Sequence, residues 1–298
     1  SDLIIYKNFP KKEIDIPRMD FLFFMSPMNA IVYLQKYQLE KGQKVFAIGK
    51  TYHWKDNKES LLDTCFISRT CDARKDKLTI ICTNEKDLIK ASYVLDNMLR
   101  PDFCIGFNDG DFDWPFVIKK ATKFGILIFI KDQLSLFNDY RTKQQSRKEQ
   151  IESILKWDCQ KKRIKLEADS VAYSTTLTLP GYINIDVRSM FRKLYPTEPK
   201  SSLKYYLTMS NLDSKEDMSI SELFRIFKES MDLETEINEM VNSKNVKGLA
   251  EVQARYEANK EKMADVAHYC TIDAKRCQEL LQKVNIIGDK REGSNISH

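Results

Sequence analysis

The sequence predicts a mixed α/β fold, and neighbouring segments in the first half of the chain carry that prediction. Residues 84–99 place apolar side chains at helical spacing, after an acidic start that suits a helix N-terminus. Residues 103–107 (FCIGF) form a short apolar run typical of a buried strand, and 115–125 predict a second helix. Residues 126–130 (ILIFI) predict the next strand. Helices and strands that alternate through such short joints are typical of an α/β unit.

The segments before this unit are rich in predicted strands. The runs 44–49 (KVFAIG), 63–68 (DTCFIS) and 77–82 (KLTIIC) are separated by polar turns, and we predict that they form a meander. Short strands precede them nearer the N-terminus. Residues 26–42 predict a helix that ends at Gly42.

The C-terminal third is predominantly helical and follows one β-like stretch. Residues 163–187 have the composition of strands and contain a Pro-Gly turn. We predict a charged insertion at 138–162 and a helical insertion at 211–262. All of 1–298 is expected to form a single domain, and the lack of an initiator Met favours excision from a longer chain.

Composition is that of a soluble globular protein, since 42% of the 298 residues are hydrophobic and 31% are charged. No stretch approaches the roughly 18 consecutive apolar residues of a membrane span, so no membrane partner is predicted. The net charge of +5 is compatible with a polyanionic partner but does not by itself indicate one.

The seven cysteines are scattered, and none forms a CxxC pair. With only three histidines in the chain, a zinc site of the usual spacing is excluded. Free thiols are typical of a reducing compartment. We therefore predict an intracellular protein, and leave open whether it works in the nucleus or the cytoplasm.

Asp113 lies between two aromatic residues, Phe112 and Trp114, at the junction of a predicted strand and a predicted helix. A carboxylate among aromatic side chains is costly unless something positive binds it. Strand ends beside helix starts are also where α/β proteins build their sites. A helix cap is the commoner explanation for such an aspartate.

Two further acidic positions stand out later in the chain. Tyr269 and Asp273 are four residues apart in a helical pattern, so they project from one face. Asp186 ends the run INIDV and leads into a helix. Taken singly, the first pair is usually a solvated face and the second position is usually a cap; the order of the three sites along the chain carries more weight.

The run PDFCIGFN (101–108), followed by Phe112-Asp113, resembles the second exonuclease motif of family B DNA polymerases. That motif reads PD, two or three apolar residues, G-[YF]-N, three residues and F-D. Tyr269-Cys270, two residues, then Asp273-Ala274 resembles the third motif, Y-C-x-x-D-A. The stretch from 184 to 207 resembles the region where these enzymes carry an aspartate, a helix and a Ser-Leu helix.

The resemblance implies a ribonuclease-H-like (DnaQ-type) exonuclease core, with a mixed central sheet flanked by helices and a β-hairpin insertion within 163–185 that helps to separate strands. It implies a proofreading enzyme that removes nucleotides from single-stranded 3′ ends of DNA. The expected cofactors are two Mg²⁺ (or Mn²⁺) ions held by carboxylates. The expected partners are the 3′ end of DNA and the palm and other domains of a parent polymerase.

The resemblance also assigns roles to individual residues. The expected metal ligands are Asp113 and Asp273, and Tyr269 is expected to orient the attacking water. Asn108 is expected to line the strand-binding groove. Two aromatic residues, Phe107 and Phe112, are expected to support frayed bases or to stack on them.

The first motif of the family, D-x-E, has only a partial counterpart. Asp2 is the candidate for its aspartate and the third metal ligand, but Ile4 stands where the glutamate is expected. The alternative hypothesis is therefore a catalytically impaired module that binds nucleic acid or serves as a structural part of a polymerase. An unrelated α/β protein with a chance match is the third hypothesis.

Overall fold

The structure is a computed structural model that describes residues 4–5, 21–25, 44–55, 57, 59–135, 145–166, 170–213, 218–243 and 248–289. Its strands are β1 (Ile4–Ile5), β2 (Phe21–Met25), β3 (Ala47–Trp54), β4 (Leu62–Ile67), β5 (Leu78–Ile81), β6 (Phe103–Gly106), β7 (Lys161–Lys165), β8 (Val171–Thr175) and β9 (Ile183–Asp186).

The helices are α1 (Glu85–Leu99), α2 (Asp113–Lys123), α3 (Leu127–Leu134), α4 (Arg147–Ser153), α5 (Val187–Leu194), α6 (Leu203–Met209), α7 (Ile220–Asn242) and α8 (Leu249–Lys283). A π-helical turn, Ile154–Asp158, continues α4. Asn84 caps α1 by accepting a hydrogen bond from the Asp87 amide, so the helix predicted at 84–99 is confirmed.

A seven-stranded mixed sheet has the order β1-β5-β4-β3-β2-β6-β9, and β7 pairs with β8 in a separate two-stranded sheet. Strand β2 is antiparallel to β3 and parallel to β6, and β6 is parallel to β9. The mixed α/β class is thus confirmed. Parallel pairing brings the C-terminal ends of β6 and β9 to the same edge of the sheet.

The strand predicted at 126–130 is wrong, because this segment begins helix α3. The buried residues of α3 are Leu127, Ile130 and Leu134, which recur at helical spacing on one face. A short apolar run fits a buried strand and a half-buried helix equally well, so only residues beyond 130 reveal the period.

The predicted meander is also wrong in part. Strands β3 and β4 are antiparallel as expected, but β4 and β5 pair in parallel. Residues 68–77 therefore form a crossover connection that returns the chain to the end of the sheet where β4 begins. The polar residues of this segment would suit a hairpin turn equally well, so the sequence does not reveal the crossover. The predicted helix at 26–42 lies outside the described residues, as do residues 138–144 of the predicted charged insertion.

Strand β3 is packed closely on both faces. On one face, α8 approaches so closely that a Cβ on Gly49 would lie 2.5 Å from the backbone oxygen of Cys270. The next residue, Lys50, points to the opposite face, where its Nζ lies 2.8 Å from Asp96 Oδ2 of α1. The other Asp96 oxygen accepts a hydrogen bond from the Tyr52 hydroxyl, at 2.8 Å. Helices α8 and α1 are thus anchored on the two faces of one strand.

We predict that Gly49→Ala destabilises the protein by about 1–3 kcal/mol, the usual cost of overpacking a core. The added methyl group meets helix backbone, which cannot rotate away. In an ordinary strand, Gly→Ala stabilises by roughly 0.5–1 kcal/mol, so the sign of the change is diagnostic. Urea unfolding measures it, and an unfolding free energy equal to or above that of the wild type would contradict the close contact.

We also predict a loss of stability in mild acid that depends on His53. This fully buried β3 side chain has its pKa lowered to about 3, first by burial and then by the charge of Lys275. Below about pH 6.5 the unfolded chain binds a proton at His53, whereas His53 stays neutral in the folded protein. The unfolding free energy that this difference contributes is therefore lost progressively as the pH falls from about 6.5 to 3. It amounts to about 2 kcal/mol between pH 7 and pH 5.

Urea unfolding of the wild type and of His53→Leu at both pH values isolates this contribution. The wild type is expected to lose about 2 kcal/mol more than the variant on acidification. Equal losses in the two proteins would show that His53 is not held neutral in the fold.

Candidate active site

The C-terminal end of β6 leads into a tight turn that begins at Asn108. This residue adopts a left-handed backbone, with φ of 63°, a conformation that Asn tolerates better than most residues. Its N–H donates to Asp186 Oδ1 at 2.8 Å, and its Oδ1 accepts a 2.8 Å hydrogen bond from Arg188. Both the backbone and the side chain of Asn108 are therefore held by the β9–α5 junction.

Asp186 ends β9 and caps α5, as its position before a helix suggests. Its carboxylate accepts hydrogen bonds from the amides of Arg188 and Ser189 as well as from Asn108. In the sheet it is paired in register with Gly106, the last residue of β6. Burial raises its pKa, and these hydrogen bonds oppose that shift. Asp186 thus links the two strand ends.

Asp113 is the first residue of α2, and its side chain is only 1% exposed. The neighbouring Trp114 is completely buried, with its ring 6.2 Å from that of Tyr93. The aromatic surroundings expected from the sequence are therefore present, and the carboxylate lies within the fold at the start of a helix.

Asp109 is a fourth acidic residue of the site, and the sequence analysis did not single it out. It is 1% exposed and lies against Gly106, where a Cβ would overlap its carboxylate. Within the described part of the chain, neither of its carboxylate oxygens has a hydrogen-bond partner of normal geometry. Its pKa is raised well above the usual value, first by burial and then by the charges of Asp186 and Asp113.

Helix α8 brings Asp273, 1% exposed, to the same region. One turn later, the buried thiol of Cys277 has its pKa raised by burial and further by four carboxylates, those of Asp273, Asp109, Asp186 and Asp113. All four charges therefore act on one point of the core. Asp113 and Asp273 thus both act on this thiol, although 160 residues separate them in the sequence.

The remaining predicted site residues lie deeper in the core or at its margin. Tyr269 is 2% exposed, in an apolar cluster that includes Phe46 and Met263. Phe107 is buried, with its ring 6.3 Å from that of Tyr206, so in this conformation it supports the site rather than facing solvent. Phe112 is half-buried immediately before α2.

The structure describes only part of the candidate first motif. Asp2 lies outside the described residues, and Ile4 pairs with Ile81 at the far edge of the sheet. Four strands separate β1 from β6, which at ~4.8 Å per strand spacing places them roughly 24 Å apart. The strand beside β6 is β2, and its sequence, FLFFM, contains no acidic residue.

The donor set agrees in chemistry with a divalent cation. Buried carboxylates that repel one another are hard oxygen ligands of the kind that Mg²⁺ prefers, and Asp109 has no hydrogen-bond partner of normal geometry among the described residues. In the same residues, no group of three His, Cys, Asp or Glu side chains is arranged to hold one metal ion. Asp113 and Asp273 stay predicted ligands, and Asp109 is a further candidate.

Comparison with known proteins gives one family and a set of viral relatives. The model of the family B DNA polymerase exonuclease domain matches residues 35–206. The enzymes named DNA polymerase beta from the Warthog/Namibia isolate and the Vero-adapted Badajoz strain of African swine fever virus are each 34% identical to the chain over 255 residues. The match covers 85% of this chain and 18% of each viral protein, so the chain spans less than a fifth of these curated relatives.

We predict that Asp109→Asn raises the unfolding free energy of the metal-free protein at pH 7, because burial and two neighbouring carboxylates disfavour the charged form of Asp109. The substitution removes a buried charge that Asp186 and Asp113 disfavour. It should also reduce the stabilisation gained from millimolar Mg²⁺, because a ligand charge is lost. Thermal and urea unfolding with EDTA or Mg²⁺ measure both effects.

The matched control is Asp111→Asn, two residues away on the exposed side of the same turn. It should change stability by less than about 0.5 kcal/mol in either condition. A metal-free Asp109→Asn protein that is less stable than the wild type would show that the carboxylate is compensated within the fold.

Proposed function

Because this chain belongs to the exonuclease-domain family of the family B DNA polymerases, we propose that it removes nucleotides from single-stranded 3′ ends of DNA with the help of divalent metal ions. The observation that carries the proposal is the convergence of four aspartates, three of them buried and Asp186 half-buried, from three separate segments. Asp109 and Asp113 follow β6, Asp186 ends β9 and Asp273 lies on α8. Burying carboxylates that repel one another costs free energy, and a bound positive charge would compensate it.

Asp113 and Asp273 would hold one of the two expected Mg²⁺ (or Mn²⁺) ions, and Asp109 with Asp113 would be the ligand pair for the other. Exonuclease domains of this family are generally dependent on divalent metals. When bound, such ions activate a water molecule for attack on a phosphodiester and stabilise the leaving oxygen. Three or four carboxylates suffice for this role, since magnesium retains some of its own waters.

The protein's other residues would position the strand and the water. Asn108, held by Arg188 and by Asp186, would contact the strand as it enters the site. Tyr269, one helical turn before Asp273, would orient the attacking water through its hydroxyl group. Phe107 would support the terminal base from below, since its ring is buried, and Phe112 would contact the base directly.

We also propose a ribonuclease-H-like core and a strand-separating hairpin. Support for the core comes from the mixed sheet, in which β2, β6 and β9 are parallel neighbours with helices beside them. Support for the hairpin comes from the antiparallel pair β7 and β8, whose first strand reads KKRIK and is largely exposed. Exposed lysine and arginine suit contact with a nucleic-acid backbone.

The second candidate is a module that binds DNA without cleaving it. It is favoured by the absence of an acidic residue from β2, the strand adjacent to β6. A two-metal site that lacks two carboxylates would bind one of its ions weakly. Such a domain would still bind a strand and would act as a structural part of its parent protein.

We propose that the domain works beside the palm and other domains of a parent polymerase; the chain spans only 18% of its viral relatives. Within the described ranges, every helix is too short or too polar to cross a lipid bilayer.

A 5′-labelled single-stranded oligonucleotide incubated with the protein and Mg²⁺ or Mn²⁺ tests the proposed reaction. The wild type should produce a ladder that shortens from the 3′ end, and EDTA should abolish it. Asp113→Asn should reduce the rate by more than about 100-fold, since even outer-shell changes around metals cost roughly 10–100-fold. Asp111→Asn, an exposed acid of the same turn, should retain the wild-type rate.

Two results would count against the enzyme. Binding of the oligonucleotide without shortening, in wild type and variant alike, supports the second candidate. A ladder that survives in Asp113→Asn would place the chemistry elsewhere or in a contaminant.

A further inference from the structure

A basic cleft of about 290 Å³ opens beside the candidate active site, between α5 and the segment that leads to α6. Three cationic side chains line it, those of Arg188, Arg192 and Lys200, together with the rings of Tyr195 and Tyr206. Its volume is at the lower end of the roughly 300–1,000 Å³ typical of ligand pockets. It therefore suits a phosphate with its attached sugar and is too small for a duplex.

The positive charge of this basic cleft is largely uncompensated by the residues that the structure describes. Neither Arg192, which is half-buried, nor the exposed Lys200 has an ion-pair or hydrogen-bond partner among them. Among the described residues that line the cleft, one is acidic: Glu198, which accepts a hydrogen bond from the Tyr205 hydroxyl and offsets one of the three positive charges. An anion is the ligand that such a surface favours.

Arg188 connects the basic cleft to the candidate active site. Its Nη1 donates to Asn108 Oδ1 at 2.8 Å, while Nε and Nη2 bond Ser201 on the cleft wall. The amide of Asn108 in turn donates to Asp186. One arginine side chain and one turn residue therefore separate the cleft from the four carboxylates.

We propose that the basic cleft binds a backbone phosphodiester of the DNA strand whose 3′ end enters the carboxylate site. This inference rests on the proposed function for the identity of the ligand. The four aspartates repel a polyanion, so strand binding requires attraction from neighbouring cations. The cleft supplies that attraction adjacent to the site, and its tyrosines offer flat surfaces for a sugar or base.

Fluorescence anisotropy of a 5′-labelled oligothymidylate, measured in EDTA over a range of salt concentrations, tests the proposal without any catalysis. Arg192→Gln and Lys200→Gln should each weaken binding severalfold and reduce the slope of log affinity against log salt by about 0.7, the loss of one single-strand phosphate contact. The matched control is Lys193→Gln, which removes the same charge from the next position of α5, outside the cleft. It should leave the slope unchanged.

The outcomes are distinguishable from those of the hydrolysis assay. Equal effects of Arg192→Gln and Lys193→Gln, in variants with wild-type melting temperatures, would overturn the cleft assignment whether or not the protein cleaves DNA. Displacement of the oligonucleotide by equimolar inorganic phosphate would also overturn it, since the cleft would then recognise free phosphate. If the wild type binds through the cleft but never shortens the strand, the proposed reaction is overturned, while the assignment of the cleft as a phosphodiester site is supported.

Discussion

The position of the candidate active site depends on the direct contact between α8 and β3. Because Gly49 has no side chain, the backbone of α8 at Cys270 rests on the strand itself. That contact fixes how far Asp273, three residues along the helix, reaches toward the ends of β6 and β9. The buried Lys50–Asp96 pair holds the opposite face of β3 against α1. The strand thus acts as a fixed support, and the position of Asp273 depends on backbone packing.

Gathering four carboxylates in one core opposes folding, and the protein offsets only part of that cost. The charge of Asp186 is stabilised, because its carboxylate accepts hydrogen bonds from amides of the turn and of α5. Asp109 is the opposite case, since burial and its acidic neighbours both disfavour its charge. A carboxylate whose charge the fold disfavours, beside one whose charge it stabilises, is typical of functional sites that lower the stability of the protein. A bound cation would remove most of the repulsion without any change in the backbone.

The sequence predicted those parts of the structure that are encoded locally. The α1 helix, the β6 strand and the order of Asp113, Asp186 and Asp273 are all readable from short-range patterns. Asp109 was missed because it occupies a position that the family's motif leaves unspecified, and only its burial against Gly106 distinguishes it from the exposed Asp111. The helix at 127–134 and the parallel pairing of β4 with β5 depend on tertiary contacts, which a short apolar run does not encode. The first-motif assignment to Asp2 stays a prediction, because Asp2 lies outside the described residues.

The seven cysteines have a practical consequence. All are free thiols, and six of them are buried. Burial raises the pKa of Cys71, Cys82, Cys159 and the half-buried Cys270 to about 12. At neutral pH about one such group in 10⁵ is a thiolate, the form that attacks alkylating reagents. A cysteine introduced at the surface would react with a maleimide far faster than the native ones, so the domain accepts a spectroscopic probe at one chosen position with its own thiols left in place.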